Sequence, residues 1–265
     1  MAAVLGLSRW ESAFSLWHRK AGLIGEQAEN EEMSWGKALE GPIAEHFARQ
    51  HPQLRVRRTG TWRSKMRPWQ IATPDRLAGR EVLEIKTDRT SDGWGEPGTA
   101  EIPVYYRVQV LHQLDVLGLR RGWVAVLIGG STYREYLVQY DTADIAVMRE
   151  AGRRFIGSID ADNPPPLDDH AATYQAVRQL HPGIEPVDVE VPADLAADYL
   201  RAVRRADLAE SVKRRATTRV LDAIGDGRRA TIGGRPIAQR IPGRGGGPPF
   251  LRPARRATRK ETTAA

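Results

Sequence analysis

The chain has 265 residues, no cysteine, and 40 lysines and arginines against 33 aspartates and glutamates. That length allows one or two domains at roughly 100–200 residues each, and the lack of cysteine excludes a disulfide scaffold, a cysteine-ligated zinc or iron–sulfur site and a thiol nucleophile. The net charge of +7 belongs to one end: residues 228 to 265 hold ten cations and one acid, whereas the first 227 hold 30 cations and 32 acids, so a function for the body must rest on particular residues.

The first residues lack a basic segment followed by a long apolar block, and no stretch approaches the roughly 18 apolar residues of a membrane helix. The expectation is a soluble cytoplasmic protein with no membrane partner. Trp35, Leu39, Ile43 and Phe47 recur every four residues and predict an amphipathic helix over 34 to 49 with Ser34 as its N-cap. Residues 55 to 62 and 67 to 73 are short β-prone runs. In 81 to 87, Val82, Glu84 and Lys86 alternate with Leu83 and Ile85 on opposite faces of a strand.

Residues 91 to 98 are too rich in glycine and proline for regular structure and read as a long loop. A helix is expected over 104 to 117, an apolar strand over 123 to 128, a turn at Gly129-Gly130-Ser131 and a return strand over 133 to 140. A further helix, capped by Asp141 or Thr142, runs to about 157. This order describes an α/β protein with a mixed sheet flanked by helices. Asn163-Pro164-Pro165-Pro166 cannot continue a helix or central strand, which ends the core at 163. A helical extension follows over 164 to 242, dominated by a charged helix over 193 to 224. Residues 243 to 265 have the composition of a disordered, basic tail.

The informative constellation is Thr73-Pro74-Asp75-Arg76 followed by Glu84-Ile85-Lys86. On a strand, positions 84 and 86 point to one face about 7 Å apart. A hairpin turning within residues 77 to 80 would bring Asp75 alongside Glu84. Two hard oxygen ligands and a lysine suit Mg²⁺ or Mn²⁺ and phosphodiester hydrolysis: the carboxylates hold the ion, and the lysine orients or deprotonates a water. The alternative is plainer. Asp75 closes a turn, and Glu84 and Lys86 form a solvated pair on an edge strand worth under about 1 kcal/mol.

The pattern extends over separated segments: Leu5-Gly6-Leu7-Ser8-Arg9-Trp10, residues 16 to 22, Gly36-Lys37-Ala38-Leu39-Glu40, Ala72-Thr73-Pro74-Asp75, Glu84-Ile85-Lys86-Thr87, Trp94-Gly95, and Ile102-Pro103 with Tyr106-Arg107-Val108-Gln109. Over about residues 4 to 160 it resembles the PD-(D/E)xK nucleases, and more closely the YqaJ-type viral recombinases of the phage lambda exonuclease kind. The resemblance implies a restriction-endonuclease-like core in which Asp75 and Glu84 are metal ligands, Lys86 is the catalytic lysine, and Glu40 completes the site. Periodicity separately puts Glu40 on the border of the helix's apolar stripe. In similar nucleases a glutamine at the position of Gln109 lines the active site. Gln113, on the same helix face, reads as a polar surface residue, the six histidines as structural or solvated, and Asp115 matches no motif position.

By the same resemblance the chain would be an exonuclease that resects duplex DNA from 5′ ends for a single-strand annealing protein, in the cytoplasm of a bacterial host, as a homo-oligomeric ring trimer. Family members usually carry a Gly-x-Ser segment upstream of the Leu-Gly at 5 and 6. The chain starts too late to contain it, so either the start is placed downstream or the 5′-phosphate pocket is altered. Arg55, Arg57, Arg58, Arg63, Lys65 and Arg67 flank the site and are the expected DNA contacts, with the alternative of a solvated basic hairpin. Two rivals are a RecB-like nuclease of the Cas4 kind, disfavoured by the lack of cysteine, and a non-catalytic DNA-binding module.

Overall fold

A computed structural model describes residues 1–26 and 29–254. The chain divides into two compact units, Met1–Ile184 and Glu185–Ala265. The first contains α1 (Ala13–Lys20), α2 (Glu31–Gln50), β1 (Val56–Arg58), β2 (Trp62–Arg63), β3 (Ile71–Ala72), β4 (Arg76–Ala78) and β5 (Glu81–Asp88). It continues with α3 (Val104–Leu117), β6 (Arg121–Ile128), β7 (Thr132–Gln139), α4 (Thr142–Asp160) and α5 (Ala171–Leu180). Five strands form one mixed sheet in the order β1-β4-β5-β6-β7; β5 and β6 are parallel and the other neighbours antiparallel, while β2 and β3 form a separate ribbon.

The pleat of β5 sorts its side chains between two cores. Leu83 and Ile85 join Ile43, Ala44 and Phe47 of α2 on one face. Val82 joins Val110, Leu111 and Leu114 of α3, together with Val124, Val126 and Tyr136, on the other. Each fully buried aliphatic side chain contributes about 1.5–3 kcal/mol, so both helices are fixed over the strand that carries Glu84 and Lys86. Helix α3 lies close to the sheet because Gly122 of β6 has no side chain: a Cβ there would stand 2.7 Å from Val110 Cγ1. Gly79 turns the β4–β5 hairpin in the left-handed region, at φ +61°.

Three expectations are corrected. Helix α2 begins at Glu31, with the Asn30 side chain accepting from Met33 N–H. Ser34 lies inside the helix, Glu31 and Glu32 occupy its first turn where carboxylates suit the helix dipole, and Trp35 stands exposed rather than in the apolar stripe. The first unit runs past the prolines to Ile184, because α5 packs on α1, with Thr173 Oγ1 donating to Ser12 Oγ at 2.7 Å.

The third correction lies in the second unit. After α6 (Ala193–Ile224) come β8 (Arg229–Ile232), β9 (Arg235–Ile241), a 3₁₀ turn at Arg244–Gly246 and β10 (Phe250–Pro253). These strands form an antiparallel sheet in the order β10-β9-β8, so folded strands occupy residues read as extension and tail. The rest of the expected tail, with Arg255, Arg256, Arg259 and Lys260, lies outside the described residues. No described helix is long and apolar enough to cross a membrane.

Candidate active site

The β4–β5 hairpin pairs Arg76 with Leu83, and one further step of that register sets Asp75 beside Glu84. Asp75 Oδ2 accepts from Ile85 N–H at 2.7 Å, which fixes the carboxylate against the strand. The strand is central, with β4 on one side and β6 on the other.

Glu84 is the most enclosed acid of the group, 1% exposed. Burying a carboxylate costs several kcal/mol unless donors replace its water, and three side chains do so. Lys86 Nζ and Gln109 Nε2 each donate to Oε1 at 2.5 Å, and Gln113 Nε2 donates to Oε2 at 2.7 Å. The two glutamines are one helical turn apart on α3 and present one face to the carboxylate. Lys86 Nζ also lies 5.0 Å from the centroid of the Tyr106 ring, a cation–π contact from the first turn of the same helix.

The electrostatics follow from this crowding. Burial first, then the charge of Glu84 with a smaller contribution from Glu40, pushes the Asp75 carboxyl up to about 7, against the pull of Lys86 and the Ile85 N–H. Burial works to lower the pKa of Lys86, but the charges of Glu84 and Asp75 outweigh it and the lysine is raised above its ordinary value. The lysine is therefore an ammonium here. Glu40, on α2, accepts from Arg76, whose guanidinium also donates to the Asp75 carbonyl. The structure thus brings Asp75, Glu84, Lys86 and Gln109 together and sets Glu40 against Arg76. Among the described residues, no three histidine, aspartate or glutamate side chains are gathered to hold an ion.

Gln113, read from the sequence as a surface residue, is 3% exposed and belongs to the site. Its signal was the spacing of four from Gln109, which puts both on one face of the helix. Arg76 and Tyr106 stood within the segments of the sequence pattern, but no site role was read for either. Asp115 anchors the fold: it accepts from Arg67, Gln70 and Arg149, and its pKa is lowered because the bonds from Arg149 and Gln70 and the charges of Arg67 and Arg149 outweigh burial. His112 Nε2 meets the Ile71 carbonyl at 3.0 Å, the structural role expected of it.

Among the six expected DNA contacts, Arg55, Arg57, Arg58, Arg63 and Lys65 are exposed. Arg67 differs, being half-buried and committed to Asp115 and Gln70.

The fold is α/β, with a mixed five-stranded sheet between helices and a buried carboxylate–lysine centre under α3. Residues 1–120 match the family model of the YqaJ-like viral recombinase domain. It is 29% identical over 184 residues to the uncharacterized protein YqaJ of Bacillus subtilis (strain 168). That alignment takes in 67% of this chain and spans 57% of the relative's length. Two solved structures are similar at low identity. The alkaline exonuclease LHK-Exo of Laribacter hongkongensis in complex with dAMP is 18% identical, with a TM-score of 0.49 over 61% of this chain and 85% of that one. A phage related exonuclease from Haemophilus somnus 129PT is 9% identical, with a TM-score of 0.45 over 56% of this chain and 79% of that one.

Proposed function

We propose that the chain is a divalent-metal-dependent deoxyribonuclease that resects linear duplex DNA from its 5′ ends and leaves single strand for a phage annealing protein. The observation that carries this reading is the donor set of Glu84. A solvated pair on an edge strand would need no glutamines, whereas Glu84 lies on a central strand, buried, with three donors and a second carboxylate beside it. Ionised groups held inside a protein at such a cost are a mark of functional sites. The match of residues 1–120 to the viral recombinase domain supports the same reading.

The donor chemistry fits a hard cation. Asp75 and Glu84 supply neighbouring carboxylate oxygens, and Gln113 Oε1 is buried with no hydrogen-bond partner. Asp75 and Glu84 would hold Mg²⁺ or Mn²⁺; Glu40 is the proposed third ligand and must leave Arg76 to serve. When bound, such an ion polarises a phosphoryl oxygen and lowers the pKa of a water.

The chain's own residues set the geometry. Gln109 and Gln113 hold the plane of Glu84 through both oxygens, and the Ile85 N–H holds Asp75. Lys86, kept protonated by its acidic neighbours, donates from Nζ to a phosphoryl oxygen or to the attacking water and offsets charge that develops in the transition state. Arg55, Arg57, Arg58, Arg63 and Lys65 are the proposed phosphate contacts; Arg67 is withdrawn from that set. A homo-oligomeric ring trimer in the host cytoplasm completes the reading.

Digestion of one linear duplex labelled at either its 5′ or its 3′ ends tests this. With Mg²⁺, the 5′ label is expected to leave at once as a mononucleotide while the 3′-labelled strand shortens gradually, and EDTA should stop both. Undiminished cutting in EDTA, or no cutting with either metal, would overturn the proposal.

A further inference from the structure

The three-stranded sheet of the second unit carries a charge pattern that the nuclease reading does not use. Residues 227 to 254 contain six arginines and no acid. Arg240 is occupied by the Gly225 carbonyl and Asp226; Arg228, Arg229, Arg235, Arg244 and Arg252 are exposed and form no ion pair among the described residues.

The register orders these cations. Arg229 pairs with Gln239, and Gln239 pairs with Arg252. Partners across antiparallel strands share a face, so Arg229, Gln239 and Arg252 form a row across all three strands, spanning about 10 Å at ~4.8 Å per strand. Ile241 and Phe250 are the adjoining pair on that face, two residues along from Gln239 and Arg252. The opposite face is the unit's interior, where Ala230 and Ala238 are buried. The outer face thus combines two guanidiniums and an amide with an aromatic ring that is 46% exposed.

We infer that this outer face binds single-stranded nucleic acid, with Arg229 and Arg252 on phosphates and Phe250 stacking an unpaired base. Charge complementarity selects a polyanion, and the aromatic ring selects strand state: duplex bases are stacked away, whereas an unpaired base has a free face for an aromatic ring. The site lies outside the unit that holds Asp75, Glu84 and Lys86, so it stands or falls apart from the nuclease reading.

Fluorescence anisotropy of the full chain tests it in EDTA, so that nothing is cut, with labelled oligothymidylate and a duplex of equal length. R229A/R252A is expected to lose about tenfold or more in affinity for the single strand. Its slope of log affinity against log salt should fall by about 1.4, at ~0.7 per phosphate contact. F250A should weaken the single strand about fivefold or more and leave the duplex unchanged, with F250Y restoring the wild-type value. An R229A/R252A chain of wild-type thermal midpoint that keeps wild-type affinity and salt slope would overturn the inference. So would F250A weakening both substrates equally. A chain that binds as expected here yet never cuts DNA would overturn only the nuclease reading.

Discussion

Gln113 Nε2 donates to Glu84 Oε2 at 2.7 Å, on the oxygen opposite the one held by Gln109. The buried carboxylate is thereby fixed in its plane from one helix. Gln113→Leu removes that donor and keeps the bulk. The expected result is a rise in half-saturating Mg²⁺, or a fall in rate, of about 10- to 100-fold, as for other groups that orient metal ligands. A stability loss of about 1–3 kcal/mol should accompany it from an under-satisfied buried oxygen. Metal titrations of cleavage and urea unfolding measure the two.

Lys86→Ala should abolish cleavage with DNA affinity nearly intact. One ammonium already paired with Glu84 adds little to phosphate binding, but its loss removes a charge from the reacting group and costs several kcal/mol of barrier, about 10²-fold or more in rate. Single-turnover cleavage and anisotropy on the same preparation separate these effects. Equal losses in both would assign the lysine to binding.

Asp75→Asn should stabilise the metal-free fold above neutral pH. A carboxyl raised to about 7 in the folded chain favours folding fully below its unfolded value of about 3.9 and loses that contribution as pH rises towards 7. Asparagine cannot ionise, and its side-chain oxygen can still accept from Ile85 N–H. In EDTA the variant is expected to match the wild type near pH 4 and exceed it at pH 8 by on the order of 4 kcal/mol, about three pKa units. Denaturant midpoints across that range read it directly, and a wild-type advantage at pH 8 would contradict the electrostatics described for the site.

Asp115 has the opposite sign. Its lowered pKa gives a contribution that is complete above the unfolded value and is lost as pH falls through the folded one. Asp115→Ala strands Arg67 and Arg149 beside each other. With both guanidiniums partly open to solvent, the cost is expected at about 2–3 kcal/mol near pH 7, below that of a fully buried pair, and should shrink under acid. Thermal midpoints at pH 7 and pH 3 test it.

The legible parts of the molecule were those with one dominant pattern. The strict alternation around Glu84 put acid and lysine on one strand face, and the runs over Val104–Leu117 and Ala193–Ile224 matched the helices found there. The spacing put Gln113 on the face of Gln109, but the burial of Gln113 and Asp115 was not legible because α3 is enclosed on more than one side. Gln113 and Asp115 answer instead to partners far away in sequence, Glu84 for the one and Arg67, Gln70 and Arg149 for the other. The start of α2 was missed because the apolar period begins later than the helix, whose first turn is set by Asn30 and two glutamates. The sheet of the second unit was missed for a different reason. Gly233-Gly234 makes a hairpin turn at positive φ between short arginine-bearing strands, and that composition is the same one a disordered linker has.

The proposed function rests on Asp75 and Glu84 holding the metal on which cleavage depends. Titrating Mn²⁺ into the full chain while following the free-ion signal by electron paramagnetic resonance, with cleavage assayed on the same samples, tests it most directly. Tight Mn²⁺ binding by the wild type is expected, and it should be lost together with cleavage in Asp75→Ala and Glu84→Ala. Wild-type cleavage by either variant, or Mn²⁺ binding untouched by both, would contradict it.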